Sequence, residues 1–482
     1  MTTRRAFVLG GAASAFAATG AFPFGIASGD PWPDGFVLWT RLGSERPVRW
    51  EVATDERMRN VVRRGTTLAE ARWGNSVHVE LRGLAPGRWY WYRFYANGEA
   101  SAVGRTRTAP APGSLDRVRF SVASCQKWQD GYFTAYEHMA NDPLDFVVHT
   151  GDYIYETASP KDRPRPHDLA EATTLDGYRA RYALYKSDPH LRRVHELFPW
   201  IVTWDDHETA DNYAGFVPDW DSPIETFAER RAAAYQAFYE NMPLRANARP
   251  SGPHLDLYRR LPFGATLDLH VLDTRQYRAD QPCGDKIKPD CAERRRADRT
   301  MLGPVQERWL FDGLGRSRAK WNALAQQVIF SLFDQQPGEG ELYSMDKWDG
   351  YPVARDRIVA EFAALRERDT NFSAVVLSGD NHNHWMFDIG HRGKPVASEF
   401  AGTSIASNSD GADISGEYGA AVRSNPHLKF HSSRRGYLRC DVSAKAWRTD
   451  FLTLPYVTRT GAPVETKASF MLEHGRPGAQ RS

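Results

Sequence analysis

Four apolar runs in this chain end in residues that bind metals. The run Arg117-Val-Arg-Phe-Ser-Val-Ala-Ser leads into Cys125, and three later runs lead into Thr150-Gly151-Asp152-Tyr153-Ile154-Tyr155-Glu156, Thr203-Trp204-Asp205-Asp206-His207-Glu208 and Ser378-Gly379-Asp380-Asn381-His382-Asn383-His384-Trp385. A thiolate is a soft ligand that hard ions do not select, so Cys125 points to a transition metal, iron or zinc first. Each segment alone has a plainer reading. Gly151-Asp152 fits a turn with a side-chain cap, Tyr155 a packed aromatic, and Asp205 to Glu208 a solvated acidic loop. His382 and His384 fit core histidines, and Cys125 an inert buried thiol. Together they read differently, because carboxylates, imidazoles, a thiol and a phenol gathered at strand ends are costly unless cations compensate them.

The elements that must position these residues follow from hydrophobic periodicity. From Phe22 to about Pro112 short period-two strands alternate with turns at Pro86-Gly87 and Asn97-Gly98, which predicts a small all-β sandwich of fibronectin or immunoglobulin type over residues 22–112. After Gly113 apolar strands alternate with helical stretches, predicting an α/β layered domain over 113–482. Strands are expected at Val118–Cys125, Asp145–Asp152, Trp200–Asp206, Leu267–Asp273, Val328–Leu332, Ala374–Asp380 and Ser398–Thr403. Helices are expected at Phe133–Asn141, Leu175–Tyr185, Ile224–Glu240, Gln306–Leu314 and Arg355–Arg368. Ligands bind beyond the carboxyl ends of strands in such sheets, where all four segments fall.

The first residues carry an address. Arg4-Arg5 precede an apolar Val8 to Ala18 stretch and a small-x-small site at Ala15-Phe16-Ala17, which predicts a twin-arginine export signal over residues 1–20. That route carries folded proteins, often already metal-loaded. No later stretch reaches the roughly 18 to 20 apolar residues that span a bilayer, so the mature protein is expected in the periplasm or medium, with no transmembrane anchor after leader cleavage. The 482 residues favour two domains. A net charge of +2, from 62 basic and 60 acidic residues, supplies no field for nucleic acid. Of four cysteines, Cys283 and Cys291 flank a polar loop that a disulfide closes, and Cys440 reads as a buried strand thiol.

The order of the four segments resembles the calcineurin-like metallophosphoesterases. The departures, with Cys125 in the first segment and Gly379-Asp380-Asn381-His382 in the last, are similar to the PhoD-type alkaline phosphatase and phosphodiesterase family, as are Phe24-Gly-Ile-Ala-Ser-Gly-Asp30, Leu272-Asp-Thr-Arg-Gln-Tyr277 and Trp348-Asp-Gly-Tyr-Pro352. This resemblance implies an α/β (α+β) four-layer sandwich of mixed β-sheets flanked by helices. It implies Fe³⁺ and Ca²⁺, one iron with one or two calcium ions. Iron would be held by Cys125, Asp152 and Tyr155, with Asp152 bridging to calcium, and Asp206, Asn212 and His382 would serve the second metal. His207 takes the place of an acid that assists the leaving group, with Asp205 as its partner or, in the plainer reading, itself orienting Asp206. Arg275 would contact phosphate or form a structural salt bridge. His384 and Trp385 would support the site.

The function implied is an exported phosphatase and phosphodiesterase acting on phosphate mono- and diesters by in-line attack of a metal-bridging hydroxide or oxide, since coordination lowers the pKa of water toward about 7. Phospholipase D-like or teichoic-acid-directed hydrolysis is the near alternative. A secreted wall- or glycan-binding protein with structural metals is the alternative of another class. Ser404 as a nucleophile lacks the Gly-x-Ser-x-Gly elbow.

Overall fold

The structure is a computed structural model that describes residues 20–219, 223–414 and 418–482. The expected leader lies outside the described residues except for Gly20. Parallel strands Val118–Ala123, Phe146–His149, Pro199–Val202 and Ile26–Trp32 lie side by side in a ten-stranded mixed sheet. The first three are buried nearly throughout, which is why they read as short apolar runs without alternation. Antiparallel strands Arg435–Val442, Ala446–Leu454, Glu465–Glu473 and Arg476–Arg481 extend the sheet on one flank, and Gly35–Arg41 and Ser76–Leu81 on the other. A seven-stranded sheet has parallel strands Leu267–Val271, Trp321–Ala325, Ala374–Ser378 and Lys394–Ala401, edged by antiparallel Arg259–Phe263, His384–His391 and Leu428–Ser432.

The two sheets face each other across a core that includes Phe120, Val148, Ile201, Leu269, Val375 and Phe451. Helices Leu175–Tyr185, Pro189–Leu197 and Ile224–Asn241 cover the outer face of the larger sheet, and Gly303–Arg316 and Pro352–Arg368 that of the smaller. Four layers result. Cys440 is a free, fully buried strand thiol, and Cys283 and Cys291 are joined in a disulfide.

Two expectations need correction. No strand forms over Val328–Leu332; the strand lies at Trp321–Ala325, between Leu267–Val271 and Ala374–Ser378, while Val328 and Phe330 turn toward the helix-side core. The apolar content of 328–332 is that of a buried loop, which composition alone does not separate from a strand. The helix Pro189–Leu197 is absent from the periodicity reading, although its start carries clear chemistry. Asp188 accepts the His190 and Leu191 amides at 3.0 Å, and Pro189 occupies the first turn.

The sandwich expected over residues 22–112 exists as two facing sheets, but one of them is shared. Ile26–Trp32, Gly35–Arg41 and Ser76–Leu81 belong to the ten-stranded sheet, and Val61–Ala69, Arg46–Ala53, Trp89–Ala96, Glu99–Ala100 and Gly104–Arg107 form the opposing sheet. Phe36, Leu38, Val52, Val79, Tyr92 and Phe94 fill the space between them.

Where this region meets the helical layer, Lys186 is 2% exposed, with its ammonium 4.3 Å from the Trp39 ring centroid and 3.3 Å from Tyr153 Oη. Burial, then the charges of Arg41 and Arg192, lower its pKa to about 7. The unfolded chain holds this proton up to about pH 10, so the cost of burying the charge is complete below pH 7 and is relieved as pH rises. In denaturant titrations, stability should climb between pH 7.5 and 9.5 more steeply in the native protein than in Lys186→Met, by up to about 1 kcal/mol per pH unit. Equal slopes would count against it.

Candidate metal centre

The parallel strands of both sheets deliver their carboxyl ends to one edge. Cys125 lies two residues beyond Ala123, Asp152 three beyond His149, Asp205 and Asp206 just beyond Val202, and Asp380 two beyond Ser378. The loops cross very closely there. A Cβ on Gly151 would stand 2.4 Å from both the Asp205 Cβ and backbone nitrogen, and one on Gly379 would stand 2.7 Å from the Ser124 and Thr150 hydroxyls. Cys125, Asp152, Asn212, Asp380 and His382 all have φ between 50° and 61°. Each is a left-handed residue costing on the order of 1 kcal/mol or more, the kind of strain that clusters at functional sites.

Glu208 fixes two of these loops. Its Oε2 accepts the backbone amides of Asp152 at 3.0 Å and Asp205 at 2.8 Å, and its Oε1 accepts that of Tyr153 at 2.6 Å. Gln327, at the end of the Trp321–Ala325 strand, joins the sheets: its Nε2 lies 2.7 Å from both Thr203 Oγ1 and Trp204 O, and its Oε1 accepts from the Thr274 amide at 3.1 Å.

Within this frame potential ligand atoms of Cys125, Asp152 and His382 lie within 4.8 Å of one another, as do those of Asp152, Asp206 and His207, and of Asp205, Asp206 and Asp380. Consecutive groups share Asp152 and then Asp206. Tyr155 Oη donates to Asp152 Oδ2 at 2.7 Å and lies 3.1 Å from His382 Nε2. Ser407 Oγ lies 2.8 Å from Tyr155 Oη and 2.7 Å from the Cys125 carbonyl. Asn212 enters through its main chain, its amide donating to Asp206 Oδ2 at 2.8 Å.

Arg275 joins the loops of the two sheets. It is completely buried: Nε is paired with Asp205, Nη1 with both Asp346 oxygens at 3.0 and 3.1 Å, and Nη2 faces Asp206 and Asp380 at 3.4 Å. Of the two readings of Arg275, the structural salt bridge is formed, with Asp205, Asp206, Asp346 and Asp380 as partners, while Asp273 accepts the Arg275 amide at 3.0 Å. Asp205 is not the partner of His207. Glu156 Oε2 lies 2.8 Å from His207 Nδ1, and the His207 and Tyr155 ring centroids are 4.1 Å apart. His384 has both ring nitrogens engaged, one near Leu452 O at 3.2 Å and one accepting the Thr403 amide at 3.2 Å, so it supports the site without a free nitrogen.

The electrostatics show a charge imbalance. Burial and then Asp206 push Asp152 well above the usual carboxylate range; burial and then Asp152 likewise raise the Cys125 thiol and the Tyr155 phenol. Burial and then Arg435 lower His382. Burial also opposes charge on Asp206, yet Arg275 and His207 outweigh it and lower its pKa. Asp205 Oδ2 and Asp206 Oδ1 are buried without a hydrogen-bond partner. A thiol, a phenol, an imidazole and orphaned carboxylate oxygens aimed at one another fit cations that displace their protons.

Several contributors escape a reading of the sequence. Asp346 follows the short strand Leu342–Ser344 and is bound by Arg275 and Arg278. Arg435 Nη1 lies 2.7 Å from His382 O and 2.9 Å from Ser407 O, bracing both. No metal-ligand pattern marks these residues. Glu208 was visible within its acidic segment, but its capping role depends on a loop 55 residues away.

The family model for PhoD-like phosphatases matches residues 120–451, and the one for their N-terminal domain matches residues 10–110. Alkaline phosphatase D of Bacillus subtilis (strain 168) is 44% identical over 483 aligned residues, spanning 95% of this chain and 82% of the relative. The solved structure of PhoD superposes with a TM-score of 0.93 at 44% identity, covering 97% of this chain and 93% of that one. A purple acid phosphatase from yellow lupin seeds shares the fold at a TM-score of 0.58 and 14% identity, covering 93% and 73% of the two chains.

Removing the guanidinium would leave the carboxylates of Asp205, Asp206, Asp346 and Asp380 facing each other. Arg275→Ala should cost about 3–5 kcal/mol in chemical denaturation of metal-free protein, and Arg275→Lys, which keeps charge but loses the planar fork, should recover only part of it. A loss below 1 kcal/mol in the alanine variant would show that this pairing carries little.

Proposed function

This chain belongs to the PhoD-like phosphatase family and is a phosphoric ester hydrolase; on that premise we propose that it is exported by the twin-arginine route to act outside the inner membrane, hydrolysing phosphate esters at a mixed Fe³⁺ and Ca²⁺ centre. What supports the centre most is the convergence of Cys125, Asp152 and His382 within 4.8 Å, with Tyr155 Oη 2.7 Å from Asp152. The thiol and the phenol are ligands for Fe³⁺ rather than for Ca²⁺. The carboxylates of Asp152, Asp205, Asp206 and Asp380 are hard oxygen donors suited to Ca²⁺. In this reading iron takes Cys125, Asp152 and Tyr155, with Asp152 shared, and Asp206, Asn212 and His382 serve the second metal. No helix among the described residues is long and apolar enough to cross a membrane, and the Arg4-Arg5 leader supports export.

Bound cations supply positive charge against the phosphoryl oxygens and acidify water. The remaining work falls to the chain. His207, with its side chain 16% exposed and Nδ1 held by Glu156, presents its ring at the mouth as the acid that protonates the leaving oxygen. Burial opposes its charged form, but Glu156, Asp206 and Asp152 outweigh burial and raise its pKa, so it holds that proton. Arg275 positions Asp205 and Asp206, and Glu208 and Ser407 set the angles of Asp152 and Tyr155. Mono- and diesters are both within this chemistry; a phospholipase D-like or teichoic-acid-directed preference has no particular residue in its favour.

Elemental analysis and a visible spectrum of the natively exported protein test the metals. Iron with calcium and a purple to violet tyrosinate absorption, lost in Tyr155→Phe, is expected; active, colourless protein holding only zinc would overturn the iron assignment. Cys125→Ser should lose iron preferentially while retaining part of its calcium. Asp152→Asn should lower kcat at least a thousandfold, on the order of 4 kcal/mol of barrier, and activity within tenfold of wild type would sink the shared-carboxylate reading.

A further inference from the structure

The cations around the centre are almost all committed to the protein itself. Arg275 and Arg278 are bound by carboxylates, Lys347 lies 3.3 Å from Asp380 Oδ2, and Arg435 is held by main-chain carbonyls and the Ser404 hydroxyl. Lys127 differs. It is two residues beyond Cys125 and half-buried, with its amide donating to Ser407 Oγ at 3.1 Å, and its ammonium stands 5.1 Å from the Tyr155 ring centroid. Among the described residues no carboxylate lies within ion-pair distance of it.

A phosphoryl group meeting Tyr155, His207 and His382 brings up to two negative charges into a half-closed, carboxylate-rich site. We infer that the Lys127 ammonium is the protein's own contact to the non-reacting phosphoryl oxygens of the substrate, and that it favours dianionic monoesters over monoanionic diesters. The selectivity follows from Coulomb's law, since the attraction of one cation scales with the charge it faces. A lysine suits this task because its ammonium is a mobile point charge on a flexible stem, able to follow the group through the reaction. The inference rests on the metal-centre reading above.

The test compares Lys127→Gln, Lys127→Arg and Asp152→Asn in the full metal-loaded protein, with 4-nitrophenyl phosphate, bis(4-nitrophenyl) phosphate and inorganic phosphate as probes. Lys127→Gln should keep its metals and raise KM for the monoester about tenfold. The inhibition constant for inorganic phosphate should rise in parallel, the diester KM should change less than threefold, and Lys127→Arg should restore most of the loss. Unchanged KM and phosphate inhibition would overturn the proposal, as would equal losses on both esters or loss of metal, which would make Lys127 a merely structural residue. If Asp152→Asn stays active, the metal-centre reading fails and this proposal falls with it. An inactive Asp152→Asn beside a Lys127→Gln of wild-type KM would sink only the role of Lys127.

Discussion

One guanidinium governs how the two sheets can meet. Arg275 extends from the loop after Leu267–Val271 in the smaller sheet and grips Asp205 and Asp206 from the loop after Pro199–Val202 in the larger one, with Asp346 and Asp380 closing around it. A buried charge on either side alone would be prohibitive. Paired across the interface, the charges set the spacing of the loops. The pairing is incomplete, because Arg275, Arg278 and Lys347 face four carboxylates, and Asp205 Oδ2 and Asp206 Oδ1 have no hydrogen-bond partner. That deficit, next to a thiol and a phenol that burial keeps protonated, gives the edge its affinity for positive charge.

The rest of the site serves to hold this arrangement against its own strain. Five residues around the centre sit in left-handed backbone conformations, and the supports at Glu208, Gln327, Ser407 and Arg435 engage mainly the main chain of the loops that carry them. Such restraint makes a site rigid before any ligand arrives, so less ordering is left to be done on binding.

How much of this the sequence discloses depends on the range of the signal. Strands such as Phe146–His149 and Ala374–Ser378 are legible because burial on both faces leaves an unbroken apolar run, and the residues that end them are legible because their chemistry is out of place after such a run. Helices Leu175–Tyr185 and Ile224–Asn241 begin where local chemistry starts them, the first behind Thr174, whose side chain accepts the Gly177 amide, and the second behind Pro223. Partnerships are another matter. Nothing near His207 distinguishes Glu156 from Asp205 as its hydrogen-bond partner, and nothing near Arg275 announces Asp346, since both contacts join loops brought together only by the fold. The sharing of one sheet between the N-terminal region and the rest is hidden for the same reason: a strand's edge partners leave no mark in its own residues.

The ladder pairs impose an order on synthesis. Ile26–Trp32 finds its parallel neighbour only when Pro199–Val202 exists, and Val118–Ala123, whose end carries Cys125, has its second edge covered only by Arg435–Val442, with Val122 opposite Leu438. A ribosome working from the amino end must therefore reach Arg435–Val442 before the central strand is flanked on both sides. Closing loops of such length is slow, and the first segments made wait longest with apolar edges open. Until Arg435–Val442 pairs with it, one edge of Val118–Ala123 presents unpaired backbone groups on which another chain could add a strand.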